Sequence, residues 1–193
     1  MKAVIVFHSV CGNDYLVAKA FFQGLETRGI NTGLFRVQDA SWVQKSDLSV
    51  KAKEVLHVMR ALPQATADIL LDADLVIMGS PTYFGNVSAQ MKAFMDSTGS
   101  LWFHGKIVGK KFAAFTSAGN AEGGGDLCLQ ALHTYAKYMG MLSIPVPVKA
   151  VLGENAPALG VIHYSDGKYA EELDAKTQCV VDGFCDFLVK AMA

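Results

Sequence analysis

The sequence predicts an α/β protein whose five parallel strands form a doubly wound sheet with helices on both faces. Short apolar runs rich in valine and isoleucine, typical of strands buried on both faces, recur along the 193 residues. Segments with helical periodicity alternate with these runs, and that alternation favours parallel strands joined by right-handed crossovers. The strand order 2-1-3-4-5 is common at this size, so we expect one domain over residues 1–193.

The strands are predicted from five apolar segments bounded by turn residues. They are Lys2–Ser9, Asn31–Val37, Asp74–Ser80, Lys111–Ser117 and Ser143–Val151. Between the second and the third strand, Asp39–Leu70 has mixed polar and helical character without a clear pattern.

Helices are predicted from apolar residues that recur at a spacing of three and four. The first helix follows the turn Gly12-Asn13-Asp14 and ends at Gly29. Three more are predicted over Ser88–Ser97, Asp126–Met139 and Glu171–Met192, and Ser88 is a suitable N-cap.

Composition excludes several classes of partner. The formal net charge is −1 and the longest basic run is Lys110-Lys111, so we expect no nucleic-acid partner. No apolar stretch is long enough for a bilayer span, and MKAVIVFHS is typical of a first strand rather than a signal peptide, so we expect no membrane insertion and a cytoplasmic location. The four cysteines lack zinc-type spacing, so we expect no metal site.

Three turns meet at the edge of the predicted sheet where the strands end. They are HSVCGND after the first strand, GSPTYFGN after the third and TSAGNAEGGG after the fourth. Ligands of doubly wound sheets bind at this edge, where the direction of winding reverses between strands 1 and 3. The predicted fold therefore places the candidate site here.

The three turns together suit flavin mononucleotide (FMN). The first offers Ser9 and backbone N–H groups at a helix start, which favour a phosphate group. The second offers Thr82 and the aromatic pair Tyr83 and Phe84, which suit a flat polar ring. Each turn alone could equally be a helix-start signal, a well-packed βα turn or a surface loop; their convergence favours a ligand.

The segment GSPTYFGNVSAQMKAFMDSTGSLW resembles the flavin loop of the WrbA-type NAD(P)H:quinone oxidoreductases, a branch of the flavodoxin-like superfamily that includes NADPH-dependent FMN reductases. The resemblance continues through FTSAGNAEGGG and MGMLSIPVP, and more loosely through HSVCGND. It implies a flavodoxin-like fold, an FMN cofactor and NAD(P)H as co-substrate. It also implies a homo-oligomer, a dimer or a tetramer.

The resemblance also implies which residues hold the flavin. Ser9, Cys11, Gly12, Asn13 and Asp14 would hold the phosphate; Pro81, Thr82, Tyr83, Phe84, Gly85 and Asn86 would border the ring; Ser117, Ala118, Gly119, Asn120 and Gly123 would line the ribityl chain and the ring edge. Trp102 would reach the flavin pocket of a neighbouring subunit.

Two features depart from the family pattern. Cys11 and Asp14 occupy positions where flavodoxins usually carry a threonine, and a carboxylate facing a phosphate is repulsive. We therefore expect Asp14 to contribute its backbone N–H and to turn its side chain to water or to the helix start. Tyr138-Met139 replaces a histidine pair of the family.

The resemblance implies that NAD(P)H passes a hydride to the flavin and that the reduced flavin passes two electrons to a quinone or a similar acceptor. Tyr83, His104 and Tyr138 are the candidates for polar contact with the reactants, and structural roles are assigned to the remaining histidines: His8, His57, His133 and His163. Two alternatives remain open: a flavodoxin-type electron carrier, against which the small net charge argues, and a flavodoxin-like module with weak or no FMN binding.

Overall fold

A parallel sheet forms the centre of the protein. The computed structural model describes residues 1–40, 48–147 and 156–192. The strands are β1 Lys2–Phe7, β2 Asn31–Arg36, β3 Leu75–Pro81, β4 Lys111–Ala118, β5 Leu142–Ser143 and β6 Val161–Tyr164. The helices are α1 Asn13–Glu26, α2 Val50–Ala61, α3 Ala89–Ser97, α4 Gly99–Phe103, α5 Gly125–Tyr138 and α6 Ala175–Met192, with a 3-10 turn at Ala67–Leu70.

The strand order is β2-β1-β3-β4-β5, with every pair parallel, so the predicted order 2-1-3-4-5 is confirmed. Ile5 stands opposite Ile77, which stands opposite Ala113 on the next strand. Because β1, β3 and β4 are central and in this register, their carboxyl ends lie side by side.

The fifth position of the sheet differs from the prediction. Instead of one strand over Ser143–Val151, the short β5 pairs with the start of β4, and β6 pairs with its end, from Phe115 to Ala118. Pro145 and Pro147 explain why β5 stops, because proline has no N–H to donate to the sheet. Residues 148–151 of the predicted strand lie outside the described residues.

The core has two layers, one on each face of the sheet. Helices α1 and α6 cover one face, where Phe21 packs between the rings of Phe115 and Phe184. Helices α3 and α5 cover the other, where Met91 and Leu129 are fully buried. None of the helices within the described ranges is long and apolar enough to cross a membrane.

The segment without a clear sequence pattern contains α2. Ser49 caps it by accepting a hydrogen bond of 3.0 Å from the Ala52 N–H, and Ala52, Leu56 and Met59 form its buried stripe. The predicted cap of α3 is confirmed, because the Ser88 hydroxyl accepts a hydrogen bond of 3.1 Å from the Met91 N–H.

Candidate functional site

Three loops converge where β1, β3 and β4 end. The His8 N–H donates to the Gly79 carbonyl at 3.0 Å, and the Thr82 N–H donates to the Ser117 carbonyl at 2.9 Å. These hydrogen bonds continue the pairing of neighbouring strands into the loops. The loops enclose a cleft of about 200 Å³. Ten residues predicted to bind the cofactor line it: Ser9, Cys11, Asn13, Asp14, Pro81, Thr82, Tyr83, Ser117, Ala118 and Gly119.

The first loop presents the start of α1 to the cleft. Gly12 is the N-cap residue with φ of 88°, and no side chain in the described part of the protein caps the helix. The first N–H groups of an α-helix have no partner within the helix and carry its positive partial charge, so they favour an anion. The Ser9 hydroxyl is buried and has no hydrogen-bond partner among the described residues. A ligand oxygen at the helix start would satisfy both features, so this part of the cleft fits a phosphate group.

Asp14 contradicts the expectation made for it. Its side chain is 1% exposed and points inward, where Oδ2 accepts a hydrogen bond of 2.7 Å from the Ser117 hydroxyl. Oδ1 is buried, and no partner for it lies within the described parts of the chain. Burial raises the pKa of Asp14 to about 7, although hydrogen bonding from Ser117 acts in the opposite direction. The charged carboxylate was expected to seek water, but the packing of α1 against β4 fixes the side chain inside.

The second loop forms a tight hairpin that projects an aromatic ring. Tyr83 and Asn86 exchange two backbone hydrogen bonds, of 2.9 and 3.0 Å, around Phe84 and Gly85. Phe84 has φ of 52° and Gly85 has φ of 74°, the two positive values that a type I′ turn requires. A bulky residue with positive φ is rare and is found most often at functional sites. Tyr83 is half-buried and lines the cleft, whereas the Phe84 ring is fully exposed at the tip of the turn.

The third loop is joined to the second by hydrogen bonds. The Thr82 hydroxyl donates to the carbonyls of Gly123 and Gly124 at 3.4 and 3.3 Å. A Cβ on Gly124 would lie 3.1 Å from the Gly85 Cα, so the two backbones pass close together. The glycine-rich character of this loop therefore has a packing reason as well as a functional one. Asn120 lies exposed at its outer end.

Gly12 and Asn86 have local structural roles beside their predicted ones. A Cβ on Gly12 would lie 2.8 Å from Val55 Cγ1, so the loop packs directly on α2. The Asn86 side-chain oxygen accepts a hydrogen bond of 2.8 Å from the Val87 N–H, so this oxygen is already engaged within the turn.

A fourth loop, which the sequence analysis did not assign to the site, completes the cleft. Ser165 and Gly167, after β6, line it, and the Ser165 N–H donates to the Ala118 carbonyl at 2.9 Å. The Ala170 N–H donates to the Cys11 carbonyl at 2.9 Å, which joins this loop to the first. The sequence signal is the Asp-Gly turn that follows the apolar run VIHY.

A buried histidine, His8, is the first residue of the first loop. His8 Nε2 is 3.1 Å from Asp39 Oδ2, and Gln90 donates to the other Asp39 oxygen at 3.3 Å. Burial lowers the pKa of His8, with Asp39 opposing the shift, so the imidazole is neutral at pH 7. This contact joins the chain just after β1 to the chain just after β2.

The structure does not bring Trp102, His104 or Tyr138 to the cleft of their own chain. Helix α3 runs from the cleft to the opposite edge of the sheet, where α4 carries Trp102 and where His104 follows it. Helix α5 likewise starts at the cleft and ends at Tyr138, beside the start of β4. Any role for these three residues at a flavin therefore requires a neighbouring subunit.

The family model and the curated relatives that match this chain agree with each other. Residues 1–154 match the model of the NADPH-dependent FMN reductase family. Curated relatives include an NAD(P)H dehydrogenase (quinone) of Aromatoleum aromaticum, 35% identical over 76% of this chain and 71% of the relative. One of Geobacter metallireducens is 36% identical over 76% and 72%.

Solved structures match the fold over the whole chain. The flavodoxin, WrbA-like protein from Agrobacterium tumefaciens aligns with a TM-score of 0.66 at 22% identity, covering 99% of this chain and 96% of that one. Flavodoxin 1 from Bacillus cereus aligns with a TM-score of 0.67 at 16% identity, covering 98% of each chain. These likenesses show that the fold is flavodoxin-like.

Proposed function

Because the chain belongs to the NADPH-dependent FMN reductase family and is an FMN-dependent NAD(P)H oxidoreductase, we propose that FMN binds in the cleft and that a quinone accepts the electrons. The family resemblance inferred from the GSPTYFGN loop is confirmed by the same match. The observation that supports the cleft as the flavin site is the buried Ser9 hydroxyl before α1, which has no hydrogen-bond partner among the described residues and lies in the cleft that Tyr83 also lines.

Different residues of the cleft would bind different parts of FMN. The Ser9 hydroxyl and the N–H groups of the first turn of α1 would hold the phosphate. The turn that carries Tyr83 and Phe84 would wall the ring, and the backbone of Ser117–Gly119 would face the ribityl chain and the ring edge. When bound, FMN supplies the hydride-accepting and electron-donating chemistry.

The protein itself would position the reactants and exclude water rather than act as an acid or a base. The nicotinamide and the quinone would stack in turn on the side of the ring that the protein leaves open to solvent. Burial raises the pKa of the Tyr83 hydroxyl, so that it stays protonated at pH 7 and can donate a hydrogen bond to a reactant. Tyr83 is the one catalytic candidate that the chain places in its own cleft.

The function is tested by a visible absorbance titration of the purified protein with FMN. Addition of NADH or NADPH should bleach the bound flavin, and benzoquinone should restore its colour. Ser9→Ala should weaken FMN binding by about tenfold, the effect of one charge-assisted hydrogen bond. Thr134→Ala removes an exposed hydroxyl on α5 and should leave binding unchanged. Tight binding without bleaching would instead indicate an electron carrier.

We also propose that the protein is a homo-oligomer. Trp102, Phe103 and Tyr138 are 55%, 76% and 75% exposed at the edge of the sheet opposite the cleft. An aromatic surface of this kind favours burial against another chain, and it would bring Trp102 to a neighbour's flavin. Trp102→Asp should lower the mass measured by light scattering, whereas Val50→Asp, on the exposed side of α2, should not. An unchanged mass for Trp102→Asp would contradict the proposed interface.

A cytoplasmic location is likewise proposed. NAD(P)H is supplied there, and the four thiols, all within the described ranges, are not joined in disulfides. Detection of the protein in another fraction of fractionated cells would contradict it.

A further inference from the structure

The base of the cleft contains two buried oxygens that lack a hydrogen-bond partner within the described chain. They are Asp14 Oδ1 and Ser9 Oγ, and their residues are 1% and 4% exposed. Both residues line the cleft at the start of α1. Buried polar atoms are almost always bonded, so a ligand or ordered water is expected to contact both oxygens. The two oxygens differ in kind: a hydroxyl suits a phosphate in any state, whereas a carboxyl suits it only when it carries a proton.

Among the described residues, none with a positive side chain lines the cleft around Asp14. The lining of the cleft, as far as the structure describes it, contains no lysine or arginine. Lys168 lies on the neighbouring loop, but its amino group is exposed and is 4.0 Å from Asp166. Among the described residues, the titratable groups that face Asp14 or lie next to its neighbours come from several elements. They are Cys11 from its own loop, His8 from the end of β1, Asp39 after β2, Tyr83 after β3, Cys128 from α5, His163 opposite Ser117 on β6, and Tyr169 from the loop after β6.

None of these groups compensates a negative charge on Asp14. Burial keeps His8 neutral and raises the pKa of Tyr83, and it raises the pKa of Cys128 to about 12, so that Tyr83 and Cys128 stay protonated. His163 contacts Asp174 at 3.0 Å and is thereby engaged outside the cleft. The Ser117 hydroxyl, the backbone N–H groups of Ser117 and Asp14, and the dipole of α1 stabilise the ionised carboxylate. A phosphate in the same cleft would compete for that dipole.

We propose that Asp14 determines which flavin the cleft prefers: with a protonated Asp14 the cleft prefers FMN, and with an ionised Asp14 it loses its preference for FMN over riboflavin, which has no phosphate. This inference rests on the proposed flavin site. A protonated carboxyl donates a hydrogen bond to a phosphate oxygen, whereas a carboxylate and a phosphate repel each other strongly in a site shielded from water.

The change of state falls within the ordinary range of pH. The pKa of Asp14 is about 7 without ligand, because the carboxyl is buried. A phosphate placed beside it raises that pKa further, so FMN binding at pH 7.5 takes up a proton from the buffer. Riboflavin brings no charge and therefore binds without this uptake.

The experiment compares two ligands on the same protein. Quenching of flavin fluorescence gives the dissociation constants of FMN and riboflavin between pH 5.5 and 8.5, and their ratio cancels effects of pH on ring binding. In the wild type, the preference for FMN should fall at least tenfold over this range. In Asp14→Asn, it should stay constant or rise with pH, because the phosphate of FMN gains its second charge near pH 6.

A matched variant controls for overall charge. Asp126→Asn removes a carboxylate from the exposed first turn of α5 and should retain the pH dependence of the wild type. Calorimetry of the wild type in two buffers with different ionisation enthalpies needs no substitution and should show proton uptake with FMN only.

The outcomes separate this inference from the proposed function. If both flavins bind but their ratio is independent of pH, or changes equally in Asp14→Asn, the role of Asp14 is wrong and the flavin site stands. If neither flavin binds at any pH, both proposals are overturned.

Discussion

The Ser117 hydroxyl donates a hydrogen bond of 2.7 Å to Oδ2 of Asp14 and thereby joins the end of β4 to the first turn of α1. The two residues are 103 positions apart in the sequence, and only the strand order brings them together. The bond holds a carboxyl inside the protein at a place where its charge is not compensated by a basic side chain of the described cleft lining. The stability of the protein and the affinity of the cleft therefore depend on the same ionisation.

Asp14→Asn should stabilise the protein at alkaline pH. The pKa of Asp14 is raised to about 7 in the folded state and is about 3.9 in an unfolded chain, so the wild type loses stability as pH rises through this window. The gain from Asp14→Asn should be small at pH 4 and on the order of 4 kcal/mol at pH 8. Urea unfolding at both pH values measures it, and an equal effect at both would show that charge is not responsible.

Phe84→Asn should separate stability from flavin affinity. Asn-Gly is the preferred pair for a type I′ turn, and Phe84 is fully exposed with φ of 52°. The variant should gain up to about 1 kcal/mol of stability, because asparagine adopts positive φ more easily. It should also bind FMN more weakly, since the aromatic wall is lost. A thermal melt and an FMN titration measure the two effects.

Gly85→Ala provides the contrast within the same turn. The residue has φ of 74°, and its Cβ would lie 2.9 Å from Leu127 Cδ1, so both stability and FMN affinity should fall. Unchanged values for Gly85→Ala would contradict the described geometry of the turn.

Gly79→Ala should destabilise the centre of the sheet. A Cβ at this position of β3 would lie 2.0 Å from two ring atoms of Phe115, which is fully buried on β4. Relief requires the ring or the strand to move, so we expect a loss of about 3 kcal/mol or more in chemical unfolding. Gly99→Ala, in open space on α4, should change stability by less than about 1 kcal/mol.

Acid should destabilise the protein through its buried histidines. Burial lowers the pKa of His8 and of His133, so both favour the folded state less as pH falls below 6.5. The ionisation of Asp14 changes the stability in the opposite direction between pH 4 and 7 and would mask the effect of the histidines. The free energy of unfolding of Asp14→Asn should therefore fall from pH 7 to pH 5.

The histidine contribution is isolated by a second substitution. His133 Nε2–H donates to the Leu159 carbonyl, and Nδ1 contacts the Ser143 hydroxyl at 2.9 Å. His133→Leu in the Asp14→Asn protein should therefore cost about 2 kcal/mol at pH 7 and reduce the loss on acidification. An unaltered pH dependence would exclude His133 as a contributor.

The sequence predicted the strand order and the three turns because strand burial and turn chemistry are local signals, as the apolar β1 and the Ser88 cap show. It did not predict that Asp14 points inward, since only the distant Ser117 and the packing of α1 on β4 decide that direction. The fourth loop was missed because β6 has four residues and follows a proline-rich segment. The direction of α5 could have been derived from the strand order, which places Tyr138 away from the cleft.

Two short strands, β5 and β6, occupy the edge of the sheet beside β4, and this arrangement affects how the protein behaves at high concentration. An unpaired strand edge is a template on which another chain can add a strand and begin to aggregate. On this side β5 presents two residues and β6 presents four, so neither offers a ladder long enough to hold a foreign strand. The interruption therefore protects this edge of the sheet from intermolecular pairing, and replacing Pro145 and Pro147 so that β5 could continue as one long strand would make the protein more prone to form fibrils.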